Sequence, residues 1–146
     1  MERIFLFKED FNRLKLKVKD NKDKEIVFSS EDAEFNRKVI EKLDVNVLLL
    51  KEESRRDYSK QRDSGFNQVM AREVAKKGIV IGIYLDELVL SLDKVRILAR
   101  VKQNIELCKK FKIKMKFIGE QIKRDSRELK SLGLVLGMST WMTKEI

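Results

Sequence analysis

The sequence contains no histidine, no proline and a single cysteine among its 146 residues. Without histidine the chain has no Ser–His or Cys–His nucleophile pair, no imidazole general base and no usual zinc or iron site. Without proline it has no Pro-rich linker, which favours one continuous domain over residues 1–146. These absences argue against the common hydrolytic and metal-dependent enzymes.

Cys108 has no second cysteine with which to form an internal disulfide. A reduced thiol is typical of the cytoplasm, and we expect this one to be buried on a helix. Long apolar runs are also missing, since none approaches the roughly 20 residues that span a bilayer. No charged segment leads into an apolar one at the N-terminus. We therefore expect a cytoplasmic protein with no secretory signal and no membrane partner.

The positive charge of the chain is concentrated in one region. The net charge is +9, and thirteen basic against four acidic residues between positions 94 and 130 account for all of it. Such a concentration favours a polyanionic partner, nucleic acid more than membrane. The alternative is a lysine-rich solubilising surface of the kind found in heat-stable proteins. Composition alone leaves both open.

Apolar periodicity predicts alternating strands and helices. Strands are expected at 3–7, 14–19, 25–28, 45–50, 79–85, 113–118 and 133–138. Helices are expected from a cap at Ser29 or Ser30 to about Leu43, and at about 65–77, 92–111 and 125–132. This rhythm is typical of βαβ units with a mostly parallel sheet, so the predicted fold class is α/β.

The longest predicted helix, 92–111, has an apolar stripe and a polar side. The residues expected to face the core are Val95, Leu98, Val101, Ile105 and Cys108. The residues expected to face solvent are Arg96, Arg100, Gln103 and Lys110.

Loops that follow parallel strands meet at the carboxyl edge of the sheet, where α/β proteins bind ligands. Three predicted loops qualify, at 51–64, 86–91 and 119–124. The first runs into a Ser64-Gly65 turn and a helix whose free N–H groups can bind phosphate. Asp63 or Ser64 is expected to cap that helix. Tyr84 and Trp141 lie at or beyond strand ends, where they either stack on a base or pack at the rim of the sheet.

Two blocks of sequence resemble the archaeal ribonuclease P protein component 3 family. The first is Arg-Asp-Ser-Gly-Phe-Asn-Gln-Val-Met-Ala at 62–71, followed by Ile-Val-Ile-Gly-Ile at 79–83. The second is Arg-Glu-Leu-Lys-Ser-Leu-Gly-Leu-Val-Leu-Gly-Met at 127–138. The resemblance covers roughly residues 45–138. Family members often have Asp-His in place of Asn67-Gln68, and they are usually longer, so we expect a shortened form that lacks one or two N-terminal βα units.

The resemblance implies a shortened or incomplete TIM-like β/α barrel that serves as a protein subunit of ribonuclease P, the enzyme that removes the 5′ leader of precursor tRNA. In that enzyme the RNA subunit and its magnesium ions perform the chemistry. The implied protein therefore has no catalytic residue, metal ligand or cofactor of its own. Its implied partners are the ribonuclease P RNA, protein component 2 and, indirectly, precursor tRNA. The residues expected to contact RNA are Arg55, Arg56, Lys60, Arg62, Ser64, Gly65, Asn67, Gln68, Lys123 and Arg124.

Two other functions remain open. Four carboxylates fall in loops at the same edge, which leaves a magnesium-dependent hydrolase on a degenerate barrel as one alternative. They are Asp57, Asp63, Asp86 and Glu87, and they form no recognised spacing. The other alternative is a protein-interaction module that does not bind RNA.

Overall fold

The computed structural model describes residues 2–53, 65–144 and 146. The strands are β1 (Arg3–Phe7), β2 (Glu25–Ser29), β3 (Val47–Leu50), β4 (Val80–Tyr84) and β5 (Met115–Ile118). The helices are α1 (Phe11–Asp20), α2 (Ala33–Lys42), α3 (Gln68–Lys77), α4 (Leu85–Leu90), α5 (Lys94–Phe111), α6 (Ser126–Leu136) and α7 (Thr140–Thr143). Within the described residues, none of the helices combines the length and apolar character of a membrane span.

The five strands form one parallel sheet in the order β1-β2-β3-β4-β5. Strands that follow chain order are the arrangement of a TIM-type barrel, whereas a doubly wound sheet reverses its order at a switch point. The fold is therefore α/β and corresponds to an incomplete TIM-like barrel, as predicted.

The sheet buries apolar side chains on both faces. Its outer face packs with the helices in the main core, through residues that include Ile26, Phe28, Leu48, Ile81 and Met115. Its inner face, directed away from the helices, carries a separate cluster of four buried side chains: Val27, Val47, Leu49 and Ile118. These two layers explain why the strands read as continuous apolar runs.

An ion pair crosses the inner face. Nζ of Lys116 on β5 lies 2.9 Å from Oε2 of Glu25 on β2, although β3 and β4 separate these strands in the sheet. Gly82 makes room beneath, since a Cβ there would come within 3.0 Å of Val47. The side chains of the inner face therefore meet across the sheet, as the lumen side chains of a barrel do.

Residues 14–19 form part of helix α1, so the predicted strand is wrong. Leu14 and Val18, four residues apart, are buried, whereas Leu16 between them is 60% exposed. Asp10 caps the helix by accepting the N–H of Arg13. The Leu-Lys alternation matches the pattern of a strand. In the helix, however, only residues four positions apart face the core, and these are Leu14 and Val18.

Residues 133–138 do not form the predicted final strand. Helix α6 continues to Leu136 and ends at Gly137, whose φ is 110°. Leu136 is buried, but Val135 is 79% exposed. A continuous apolar run is compatible with either structure, and here half of it faces outward.

Two smaller predictions also need correction. Residues 86–91, expected to be a loop, mostly belong to helix α4. Asp32, and neither Ser29 nor Ser30, caps α2, because its carboxylate accepts the N–H groups of Glu34 and Phe35. The Cys108 thiol is buried as expected, and its burial raises its pKa far above the ordinary value.

Lys112 at the end of α5 has a left-handed backbone, with φ of 58°. Gly78 fills the same position after α3, where glycine has no steric penalty. Because the left-handed region disfavours a side chain, we expect Lys112→Gly to raise the free energy of unfolding by about 0.5–1 kcal/mol. Urea titration measures the free energy of unfolding. Lys110→Gly, inside the helix, is the control and should lower that free energy. A free energy of unfolding for Lys112→Gly equal to or below that of the wild type would contradict the expectation.

Candidate nucleic-acid interface

The carboxyl edge of the sheet is where β3, β4 and β5 lead into the predicted binding loops. The described chain leaves β3 through Lys51, Glu52 and Glu53, and resumes at Gly65 ahead of α3. Helix α4 follows β4 without a loop, and the chain after β5 runs from Gly119 to the start of α6.

Asp86 in the first turn of α4 holds the loop that follows β5. Its carboxylate accepts the backbone N–H groups of Glu120, Gln121 and Ile122 at 3.2, 2.9 and 3.1 Å. Burial would by itself raise the pKa of Asp86, but these donors outweigh it and hold the pKa below its ordinary value. Gly119 permits the tight turn, because a Cβ there would collide with the carbonyl oxygen of Ile122.

Glu87 holds the first residues after β3. Its Oε1 accepts the N–H of Glu52 at 2.8 Å, and its Oε2 accepts the N–H of Glu53 at 3.1 Å. The Ser91 hydroxyl donates to Oε1 of Glu53 at 3.1 Å. Burial raises the pKa of Glu87 above its ordinary value, in spite of the two backbone donors. Helix α4 thus holds the first residues after β3 and the residues after β5 at the carboxyl edge.

Asp86 and Glu87, the two described residues of the proposed magnesium set, do not fit such a site. Asp86 and Glu87 direct their oxygens at backbone N–H groups, whereas Mg²⁺ takes carboxylate oxygens as ligands. Within residues 2–53, 65–144 and 146, no group of three or more Cys, Asp or Glu side chains could hold a metal ion. Asp57 and Asp63, the other members of the set, lie outside the described residues.

Arg100 is buried, so the prediction that it faces solvent is wrong. It is 1% exposed, and its Nη1 donates to the backbone oxygen of Glu52 at 2.6 Å. One helical turn further on, Nδ2 of Asn104 donates to Oε1 of Glu52 at 3.2 Å. Helix α5 therefore contributes a polar support to the loop that follows β3.

The apolar stripe of α5 is only partly the predicted one. Val101, Ile105 and Cys108 are buried as expected, but Val95 is 82% exposed, and Ile97 takes its place in the core. The buried side of the helix differs from the predicted one because Arg100 bonds to the backbone oxygen of Glu52 and Asn104 to its carboxylate. Apolar spacing does not record this requirement.

Half of the ten predicted RNA-contacting residues can be placed. Gly65 is buried with φ of 75°, which glycine adopts without strain. Asn67 caps α3 by accepting the N–H of Met70 at 3.0 Å, so the predicted cap at Asp63 or Ser64 is replaced. Gln68 is exposed in the first turn. The other calls on this segment lie outside the described residues: Arg55, Arg56, Lys60, Arg62, Asp63 and Ser64.

Lys123 and Arg124 are exposed in the loop between β5 and α6. Arg124 lies 3.5 Å from Glu128, and its Nη1 also donates to the backbone oxygen of Lys123. Asp125 caps α6 by accepting the N–H of Glu128 at 2.9 Å. An exposed ion pair of this kind contributes little to stability. The Arg124 guanidinium can therefore leave Glu128 and bind a phosphate.

An aromatic and basic group lies at the same edge, of which the sequence analysis identified Tyr84 but missed Phe7 and Lys51. Nζ of Lys51 lies 4.6 Å from the ring centroid of Tyr84 and 5.5 Å from that of Phe7. Burial raises the pKa of Tyr84 to about 12, with help from the neighbouring carboxylates of Glu120 and Asp86. Their positions in the sequence could have indicated that Phe7 and Lys51 lie at this edge, because Phe7 ends a predicted strand and Lys51 follows one. Trp141, the other stacking candidate, belongs to α7 and not to a strand end.

Comparison with known proteins shows what the chain is similar to. No family model matches the chain. Over 83 residues the chain is 32% identical to ribonuclease P protein component 3 from Methanosarcina acetivorans. The similarity is to a ribonuclease P protein. The match takes in 53% of this chain and 35% of component 3, and it confirms the predicted resemblance to this family.

A solved structure supports the fold independently. The chain superposes on one chain of a cryo-electron-microscopy structure of archaeal ribonuclease P with mature tRNA, with a TM-score of 0.79 and 21% identity. The superposition covers 99% of this chain and 63% of the ribonuclease P chain, so the present chain spans less than two thirds of either relative. At this identity the match shows the fold, and it confirms the incomplete TIM-like barrel.

Proposed function

We propose that the chain is a protein subunit of ribonuclease P, which binds the catalytic RNA and supports removal of the 5′ leader from precursor tRNA. The observation that carries the proposal is the 32% identity to component 3 of Methanosarcina acetivorans. The sequential parallel sheet and the net charge of +9 support it, since both are compatible with a barrel that binds a polyanion at its carboxyl edge.

In this proposal the protein contributes binding and no bond-breaking side chain. Histidine is absent from the sequence, and Asp86 and Glu87 are engaged by backbone N–H groups. Basic side chains of the carboxyl edge bind phosphates, and the N-terminus of α3 adds its free N–H groups and its dipole. The magnesium ions belong to the RNA. The protein forms one barrel domain and works in the cytoplasm.

A protein partner is part of the same proposal, and component 2 is the one the resemblance implies. Leu90 and Leu92 near the end of α4 and Val95 at the start of α5 are all exposed. Aliphatic side chains offer RNA neither charge nor a stacking surface, whereas they are suited to a protein interface. This exposed set therefore supports a protein contact in addition to the RNA contact.

Co-purification tests the proposed function. A tagged copy is expressed at native level, recovered under gentle conditions, and the bound RNA and proteins are sequenced. We expect enrichment of the ribonuclease P RNA together with a component 2 protein, relative to the tag alone. Recovery of neither would overturn the proposal. Cleavage of RNA by the isolated chain, abolished by a chelator, would favour the hydrolase instead.

A further inference from the structure

Phe7, Lys51, Tyr84 and Glu120 form a group at the carboxyl edge, here called the mouth cluster. Phe7 ends β1, Lys51 follows β3, Tyr84 ends β4 and Glu120 lies just beyond β5. Nζ of Lys51 is 3.9 Å from Oε1 of Glu120 and lies over both rings. One ammonium group thus lies close to two aromatic rings contributed by non-adjacent strands.

Internal packing does not account for Phe7. Phe7 is 50% exposed, although Phe5, two residues earlier, packs with the inner apolar cluster. An exposed cation–π contact is worth only about 0.5–1 kcal/mol, so Lys51 gives little reason to place an aromatic ring there. A half-exposed ring beside an ammonium group does have a common use, because single-stranded nucleic acids bind to stacking rings next to positive charges.

We propose that the mouth cluster is a binding site for one unpaired RNA nucleotide, with the base stacked on Phe7 and its phosphate beside Lys51. The inference rests on the proposed function, because it names the form of RNA that this edge recognises. Tyr84 supplies the second ring of the site, with its centroid 4.6 Å from Nζ of Lys51. Its hydroxyl is protonated at neutral pH, as that of an ordinary tyrosine is, so it adds no negative charge beside a phosphate.

The base must be unpaired. A ring stacks on the face of a base, and in a duplex both faces are already covered by neighbouring bases. The site therefore discriminates between forms of RNA, whereas the basic residues of the adjoining loops contact phosphates in either form. Glu120 opposes binding, since its carboxylate shares Lys51 with the incoming phosphate.

Fluorescence anisotropy with a short single-stranded oligouridylate and a duplex RNA of equal length tests the site. Phe7→Leu keeps an apolar side chain but removes the ring, and we expect it to weaken single-strand binding roughly tenfold and to leave duplex binding unchanged. Phe7→Trp should retain the affinity. Glu120→Gln should strengthen binding a few-fold, because it removes a negative charge next to the phosphate.

Phe111→Leu is the matched control. The Phe111 ring also has cations nearby, with Nζ of Lys110 at 5.5 Å, but it ends α5 at the opposite edge of the sheet. We expect wild-type affinity for both RNAs. Equal single-strand affinity of Phe7→Leu and wild type would overturn the stacking site and leave the proposed function standing. Failure of the wild type to bind either RNA would count against both.

Discussion

Asp86→Ala is expected to lower the free energy of unfolding by about 3 kcal/mol or more. The carboxylate accepts three backbone N–H groups, from Glu120, Gln121 and Ile122, in a buried position. Each buried donor left without an acceptor costs about 1–3 kcal/mol, and rehydration of the loop recovers part of that. Gly119 limits the relaxation, since the turn it permits is tight.

Urea unfolding of Asp86→Ala, Asp86→Asn and Asp44→Ala measures the effect. Asparagine retains one acceptor oxygen, so Asp86→Asn should fall between wild type and alanine. Asp44 is exposed and is the control, with an expected change within about 0.5 kcal/mol. An Asp86→Ala change as small as that of the control would contradict a stabilising role for the three hydrogen bonds of Asp86. If Asp86 instead lay among repelling carboxylates of an empty metal site, Asp86→Asn would stabilise the protein.

The contribution of Asp86 to the free energy of unfolding also depends on pH. The pKa of Asp86 in the folded protein lies below the ordinary 3.8, because three N–H donors favour the ionised form. Its stabilising contribution is therefore present above pH 3.8 and is lost as the pH falls through the folded-state pKa. The stability difference between wild type and Asp86→Asn should be constant near neutrality and shrink below that pH.

Local pattern was sufficient for most of the fold. Buried apolar runs predicted β3 and β4, and the helix predicted to end at residue 77 ends there as α3. Parallel strand order alone predicts that the residues following β3, β4 and β5 lie at one edge of the sheet. The failures at 14–19 and 133–138 have one cause: both segments are apolar enough for either structure, and only packing decides which residues turn inward.

The candidate site was less predictable, because its structure depends on contacts between distant residues. Nothing near Asp86 in the sequence indicates that it binds the N–H groups of residues 120–122. The burial of Arg100 depends equally on a carbonyl group 48 residues away. The location of Lys123 and Arg124 was predictable, since it follows from strand order alone.

The second large effect concerns RNA affinity. Arg55, Arg56 and Arg62 belong to the segment that joins β3 to α3, and each is expected to contact a phosphate. Replacing all three with alanine should weaken RNA binding roughly a hundredfold near 0.1 M salt, because each phosphate contact releases about one counterion. The slope of log affinity against log salt concentration should fall by about 2 to 3.

A charge-matched control separates this edge from general positive charge. Lys19, Lys22 and Lys76 are exposed and lie toward the opposite edge, near the starts of β2 and β4. Their triple alanine variant loses the same three charges. It should keep most of the affinity and nearly the full salt slope, because these lysines are not expected to contact RNA.

The most direct test of RNA binding at the carboxyl edge is a salt series with ribonuclease P RNA, in which wild type and the two triple variants are measured side by side. The proposed function predicts a large loss of affinity and a flatter salt dependence for the arginine variant, and near-wild-type behaviour for the lysine variant. Equal affinities and equal slopes for all three proteins would contradict it. So would an equal loss in both variants, since that result would assign binding to net charge and not to this edge.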